Sequence, residues 1–229
     1  MTTDIVVTTC ERLPLLKKTL EYIWERTKTG YRLHVIDDAS TEGNQEYLRT
    51  LEAGGSINRA RLHRRRVGIA AHLGAITKIT VSDPVVFTDD DVLCPRLKPD
   101  WLARGLKAMR KDKKLGLLAL NNPQCNIGDK RRKLEVVGAV TLCRNIPGNF
   151  VFVRRAVLDT TMREDASSPV KALCLAAGDI GWKVGYLTDV YCQHIGTFSS
   201  RNQNDLSAEI GMVMPVDLET LEPVDEYKG

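Results

Sequence analysis

The stretch that decides the fold is Val85-Val86-Phe87-Thr88-Asp89-Asp90-Asp91-Val92-Leu93-Cys94-Pro95, in which an apolar run ends abruptly at three carboxylates. A short run of β-branched and aromatic residues predicts a buried strand, with Asp89 to Asp91 at its carboxyl end. Open α/β sheets bind ligands at that edge. Adjacent carboxylates repel one another unless a cation lies among them, and oxygen ligands suit Mg²⁺ or Mn²⁺. The stretch predicts a divalent metal holding a diphosphate, although an acidic loop that merely follows a strand remains an alternative.

The residues on either side of this stretch predict alternating strands and helices. Strands are expected at 5–7, 31–36 and 61–63, with one more at 134–142 in the second half of the chain, and helices at 14–24, 44–52 and 69–79. The second strand also ends in carboxylates, Asp37 and Asp38. This succession predicts an α/β fold with a doubly wound, Rossmann-like, mostly parallel sheet whose loops cluster at one edge. The phosphate fingerprints G-x-G-x-x-G and G-x-x-x-x-G-K-[ST] are absent, which argues against an ordinary NAD or P-loop site.

Length and composition are typical of a globular domain. The chain has 229 residues, of which 43% are hydrophobic and 27% are charged. It contains no apolar run of about 18 residues, so we expect no transmembrane segment. The first residues lack the order of a secretory signal. Six scattered cysteines without a C-x-x-C pair favour free thiols in a reducing compartment, and the expected location is cytoplasmic.

Charge is distributed unevenly along the chain. Residues 205–229 carry seven acidic side chains and one basic, whereas residues 1–204 carry 32 basic and 22 acidic. Basic clusters lie at Arg59–Arg66 and Lys130–Lys133. A basic body attracts anionic substrates or nucleic acid, although solvated surface lysines and arginines give the same count.

Two carboxylate clusters at the ends of strands about fifty residues apart should face one crevice. With the strand, loop and helix that precede them, they resemble the family-2 glycosyltransferases with the GT-A fold, over nearly all of residues 3–196. The resemblance implies a D-x-D element in which Asp91 is the main metal ligand, assisted by Asp89 and His194, for Mn²⁺ or Mg²⁺. His72 stands where the family usually has arginine. The residues implied to bind the nucleotide sugar are Thr8, Thr9, Glu11, Asp38, Gly68, His72, Asp89 and Asp90.

The resemblance extends into the second half of the chain. It implies that Asp165, just before a helix at 170–177, is the general base. Extra residues between Asp165 and Gly181 keep Asp179 and, more weakly, Glu164 open as alternatives. His194 precedes a polar loop in which Arg201 is a candidate phosphate contact.

The function implied is metal-dependent, inverting transfer of a sugar from a nucleotide-diphosphate donor, expected to be a UDP-sugar, to a hydroxyl acceptor. One alternative is the same chemistry on hydroxymethylated bases of DNA, as in virus-type DNA glycosyltransferases. A nucleotidyltransferase and a non-catalytic nucleic-acid-binding module are the others. We expect one catalytic GT-A domain at 1–204, with a nucleotide-binding half at 1–95 and an acceptor half at 96–204 that carries a small antiparallel extension. An acidic tail follows at 205–229.

Overall fold

The computed structural model describes residues 2–122, 133–146, 148–160 and 169–196, which form a mixed α/β fold. The strands are β1 (Thr3–Thr9), β2 (Tyr31–Asp37), β3 (Arg59–Leu62), β4 (Val85–Asp89), β5 (Val92–Leu93), β6 (Leu115–Asn121), β7 (Lys133–Val137), β8 (Val140–Cys143), β9 (Val151–Val153), β10 (Lys183–Tyr191) and β11 (Gln193–His194). The helices are α1 (Leu13–Arg26), α2 (Glu42–Ala53), α3 (Ile69–Ile79), α4 (Trp101–Lys111), α5 (Arg155–Thr160) and α6 (Pro169–Asp179).

A nine-stranded sheet runs through both halves of the chain, in the order β3-β2-β1-β4-β9-β6-β10-β8-β7. The first four of these strands pair in parallel, and so do β6 and β10. Strand β9 is antiparallel to β4 and β6, and β8 is antiparallel to β10 and β7. A separate two-stranded sheet joins β5 to β11. The predicted α/β architecture is confirmed, including a small antiparallel element.

Helices cover both faces of the large sheet because its strands bury alternate side chains on opposite faces. On one face Ile5 and Val7 of β1 pack in a cluster with apolar residues of α1, α2 and α4. On the other face Val6 packs in a cluster with residues of α3, α5 and α6. The carboxyl ends of β1, β2 and β4 therefore emerge together between two layers of helices.

The amino edge of the sheet is held by the buried carboxylate of Asp4. It accepts hydrogen bonds from the Nε and Nη2 atoms of Arg32, at 2.7 and 2.9 Å, and from the backbone N–H groups of Val81 and Ser82, at 2.7 and 2.8 Å. The ring of His34 lies 2.9 Å away. Burial alone would raise the pKa of Asp4, but these bonds hold it well below its usual range.

One sequence prediction is wrong in its outline. A single strand was expected over residues 134–142, whereas the structure has a hairpin of β7 and β8. The chain reverses at residues 138 and 139, and Gly138 has a φ of 62°. Glycine at the first central position of a two-residue turn is typical of a type II′ hairpin, so the apolar run divides there.

Among the described residues, no helix is long and apolar enough to cross a bilayer. None of the five described cysteines forms a disulfide. The cytoplasmic location stays a prediction, as does the division into halves at residue 95. The acidic tail lies outside the described residues.

We expect Gly105→Ala to lower the free energy of unfolding by about 1–3 kcal/mol, because a well-packed core resists added atoms. A Cβ at this position of α4 would lie 2.2 Å from Cζ of Phe152, which is fully buried. Gly74→Ala in α3 is the control, since its Cβ would meet nothing within 4 Å. Urea denaturation should show the control unchanged or stabilised by up to about 1 kcal/mol. Equal effects of the two substitutions would contradict this packing.

Candidate active site

The three carboxylates lie where the sequence predicts them, at the carboxyl end of a central strand. Asp89 ends β4, and Asp90 and Asp91 form the turn into β5. Asp90 is fully buried, Asp91 is 2% exposed and Asp89 is partly exposed. Buried carboxylates are costly unless paired, so their partners determine whether this turn is stable.

Arg12 supplies the positive charge for this turn. Its guanidinium donates hydrogen bonds to Asp90 Oδ1 and to Asp91 Oδ2, so one side chain bridges two carboxylates. Arg12 directly precedes α1 and follows Glu11, which has a φ of 59°. The backbone N–H of Glu11 donates to Ser40 Oγ at 2.8 Å, which fixes the loop. Nothing in the sequence marks Arg12 as functional, because a single arginine in a loop belongs to no periodic pattern or motif.

The two threonines at the end of β1 bond to the same carboxylates. Thr9 Oγ1 donates to Asp90 Oδ2 at 2.6 Å, and Thr8 Oγ1 donates to Asp89 Oδ1 at 3.0 Å. These contacts follow from the register, since β1 and β4 are parallel neighbours and Thr8 pairs with Asp89. Thr9 and Asp90, predicted to bind the donor, bond each other within the buried cluster.

Burial controls the protonation of the cluster. It is the largest cause raising the pKa of Asp89 to about 6, and the charge of Asp91 adds to it. Burial also raises the pKa of Asp90, to about 7, against the opposing effect of Arg12. Two of the three carboxylates therefore titrate close to neutral pH.

His194 reaches the cluster through the small two-stranded sheet. His194 pairs with Val92 in the β5–β11 sheet, and this pairing places the imidazole ring beside Asp91. His194 Nε2 lies 3.4 Å from Asp91 Oδ1, and the backbone N–H of Ile195 donates to the carbonyl of Asp91 at 2.8 Å. A Cβ on Gly196 would lie 2.1 Å from Asp91 Oδ2, so only glycine allows this close approach.

Asp91 and His194 fit a divalent metal. Asp91 Oδ1 is buried and accepts no hydrogen bond among the described residues. Two ligand atoms that are each about 2.1 Å from an ion lie roughly 3.0–3.4 Å apart when they are adjacent in its coordination shell. No group of three or more metal-binding side chains occurs in the described part of the chain. Mg²⁺-type ions commonly bind one or two protein ligands together with waters and substrate phosphates.

Asp38 stabilises the loop that begins α3. Its carboxylate accepts hydrogen bonds from the backbone N–H groups of Val67, at 2.7 Å, and Gly68, at 3.1 Å. Gly68 has a φ of 77°, which favours glycine. His72 Nε2 lies 3.7 Å from Asp38 Oδ1, and both ring nitrogens are buried without a hydrogen bond among the described residues. Burial lowers the pKa of His72. The imidazole of His72 is therefore neutral, and among the described residues its two nitrogens make no hydrogen bond beside Asp38.

A cavity of about 490 Å³ opens beside Asp89, between α3, α6 and the loop that precedes β9. Its polar lining consists of Thr8, His72, Asp89, Asn145 and Lys171. The apolar lining consists of Leu73, Ile76, Phe87, Ile146, Val170 and Cys174, with Gly148. The volume and the mixed lining are typical of a small-molecule site.

The remaining predicted residues divide into two groups. Asp165, Glu164, Arg201 and most of the cluster at 130–133 lie outside the described residues. Asp179 is exposed at the end of α6, where the chain turns into β10. Because Lys183 of β10 pairs with Leu115 at the start of β6, Asp179 lies at the amino edge of the sheet. The edge that carries Asp89 to Asp91 is the opposite one.

Comparison with known proteins identifies the class to which this fold and site belong. The profile of glycosyl transferase family 2 matches residues 4–157, so the chain belongs to that family. A comparison with curated protein sequences gave no significant match.

Solved structures share the fold at low sequence identity. A mannosyltransferase from Pyrobaculum calidifontis, solved in complex with GDP-Man and Mn²⁺, is 19% identical with a TM-score of 0.68 over 85% of this chain and 57% of its own. GalNAc-T7, solved with UDP, GalNAc and Mn²⁺, is 14% identical with a TM-score of 0.67 over 86% of this chain and 44% of its own. S. aureus TarS is 13% identical with a TM-score of 0.60 over 83% of this chain and 36% of its own. This chain therefore matches only about half, or less, of each of these longer chains.

We predict that Asp89→Asn raises the free energy of unfolding by on the order of 1 kcal/mol at about pH 7.5 and by almost nothing near pH 4. The pKa of Asp89 in the folded protein is about 6, above that of an unfolded chain. The folded state therefore holds a proton that the unfolded state has lost, and the stability contributed by this carboxyl falls as the pH rises from 4 through 6.

Urea denaturation across this pH range, in EDTA, would measure the difference between variant and parent. Asp159→Asn on the exposed end of α5 is the control for the loss of one surface carboxyl. A stability difference for Asp89→Asn that is constant with pH would contradict the prediction.

Proposed function

We propose that this protein is a glycosyltransferase that uses a divalent metal to transfer a sugar, with inversion, from a nucleoside-diphosphate donor to a hydroxyl group. The single observation that carries the proposal is the carboxylate cluster beside His194. Asp91 Oδ1 and His194 Nε2 lie 3.4 Å apart at the carboxyl edge of the sheet, next to a cavity lined by Asp89. The presence of Mn²⁺ in the structures of the mannosyltransferase and GalNAc-T7 supports this choice of metal. Mg²⁺ is the alternative ion.

The donor would lie along this edge of the sheet. Asp38 and Gly68 shape the nucleoside side, where His72 offers an unused ring nitrogen to a base or ribose. The cavity beside Thr8 and Asp89 is large enough for a sugar. A UDP-sugar is the proposed donor, and UDP bound in GalNAc-T7 supports it, whereas GDP-Man in the mannosyltransferase keeps a GDP-sugar open.

Asp91 and His194 would hold the metal on the diphosphate. The metal, when bound, offsets the negative charge that develops on the leaving diphosphate. Asp90, Thr9 and Arg12 hold Asp91 in place through the buried cluster. The donor phosphates would complete the coordination, which agrees with the small number of protein ligands.

Asp165 is the proposed general base. It precedes α6 by four residues in the sequence. The first turn of α6 lies near the cluster, because Val170 and Lys171 line the cavity beside Asp89. A carboxylate there would take the proton from an acceptor hydroxyl while the oxygen attacks the anomeric carbon opposite the diphosphate. The position of Asp179 at the other edge favours Asp165 over it.

We expect Asp165→Asn to lower kcat by about 10²–10⁴ while donor affinity stays unchanged, because a hydroxyl is a poor nucleophile without a base. Glu164→Gln is the matched control and should keep near-normal transfer. The measurement is sugar transfer in single-turnover mode, with nucleotide affinity determined separately by calorimetry. Near-normal transfer by Asp165→Asn, or a loss shared equally by Glu164→Gln, would remove Asp165 from this role.

A polyanionic acceptor, DNA with hydroxymethylated bases, is a second candidate. The observation that favours it is a row of exposed arginines on and after the edge strand β3, which leads to the donor side of the site. These residues are Arg59, Arg61, Arg64, Arg65 and Arg66. Lysine and arginine contacts to phosphates would hold the duplex, and the target base would have to be flipped toward the site. Family membership favours glycosyl transfer over nucleotidyl transfer or simple nucleic-acid binding.

Measuring transfer at increasing salt concentration distinguishes a DNA acceptor from a small glycan acceptor. Transfer to hydroxymethylated DNA should fall by at least about tenfold between low and moderate salt. Contacts to phosphates release counterions from the DNA, and this release is less favourable at higher salt. Replacing Arg64, Arg65 and Arg66 together by glutamine should weaken the salt dependence, whereas transfer to a small glycan should change little with salt. Transfer only to the glycan, with the triple variant unaffected, would rule out the DNA acceptor.

A further inference from the structure

Arg12 and the proposed metal share one carboxylate. The guanidinium bonds Asp91 Oδ2, while Asp91 Oδ1 faces His194. An ion bound to Oδ1 would therefore lie on the same carboxylate as a permanent positive charge. Two cations this close repel each other strongly, because the surroundings are buried and screen them poorly.

The geometry does not let Arg12 move away easily. Its second bond is to Asp90, which is fully buried and also accepts from Thr9. The loop behind it is held by the bond from Glu11 N–H to Ser40 Oγ, and α1 begins at the next residue, Leu13. If Arg12 left the cluster, the buried carboxylate of Asp90 would lose its cation, which is strongly destabilising.

The net charge around Asp91 determines how tightly a divalent metal ion can bind there. Arg12 offsets one of the three negative charges in this turn, so the cluster attracts a cation less strongly than its sequence suggests. A diphosphate adds negative charge beside both cations. It would offset their mutual repulsion and supply the oxygen ligands that the cluster lacks.

We propose that Arg12 makes metal binding depend on the nucleotide: its charge on Asp91 weakens binding of the ion alone, and the donor diphosphate restores that binding. The inference rests on the proposed function and adds a residue that sets the order of binding. The same coupling implies that the ion raises nucleotide affinity by the same factor, because linkage is reciprocal.

The test is titration of the full chain with Mn²⁺, following free Mn²⁺ by electron paramagnetic resonance, with and without UDP and GDP. Arg12→Gln should bind Mn²⁺ alone at least about tenfold more tightly than the parent, and its nucleotide dependence should shrink. Arg12→Lys keeps the charge but replaces the rigid, planar fork of the guanidinium with a flexible ammonium, which can move away from Asp91. It should bind Mn²⁺ alone a few-fold more tightly than the parent.

Arg96→Gln is the matched control, because Arg96 is exposed and pairs with the surface carboxylate of Glu25 at 3.3 Å. It should behave as the parent does. Arg12→Lys keeps the test decisive if Arg12→Gln does not fold: affinity for Mn²⁺ alone equal to or below that of the parent overturns the inference. Nucleotide-dependent Mn²⁺ binding that is the same in all four proteins also overturns the inference and leaves the proposed function standing. Absence of Mn²⁺ binding in every protein, even with nucleotide, would overturn the proposed function itself.

Discussion

The structure depends on burying three consecutive carboxylates at the carboxyl end of β4. Such a turn is stable only if each carboxylate has a partner, because an isolated buried charge is strongly unfavourable. The partners come from β1 and the loop after it, where Thr8, Thr9 and Arg12 contact the three aspartates. The parallel register of β1 and β4 is therefore a requirement of the site as well as of the sheet.

The second half of the chain reaches the carboxylate cluster through a small two-stranded sheet. Two-residue strands β5 and β11, far apart in sequence, place His194 beside Asp91 and bring Gly196 against the same carboxylate. Strand β9 binds β4 to β6 in antiparallel pairing and so continues the sheet between the two halves. The amino edge is held by a different buried carboxylate, Asp4, whose hydrogen bonds are complete. The edge with incomplete bonding at Asp91 is the one that suits a ligand.

The sequence was sufficient for the fold and for the position of the cluster, because both follow from hydrophobic periodicity and from the abrupt end of an apolar run. It was insufficient for features of the structure that depend on contacts between residues far apart in the sequence. The role of Arg12 depends on a loop with a positive φ at Glu11 and on strand register, neither of which a local pattern shows. The division of residues 134–142 into a hairpin had a local signal, Gly138, within a run whose β-branched residues favoured one continuous strand. Asp165 stays a prediction from family resemblance.

We propose that the carboxylate edge of the sheet binds a nucleoside diphosphate through a divalent metal. Calorimetric titration of the protein with UDP, GDP and dTDP, each with and without Mn²⁺, tests it most directly. We expect at least one nucleotide to bind in the presence of Mn²⁺ and its affinity to fall by at least about tenfold in EDTA. Equal affinity with and without Mn²⁺, or no binding of any nucleotide, would contradict it.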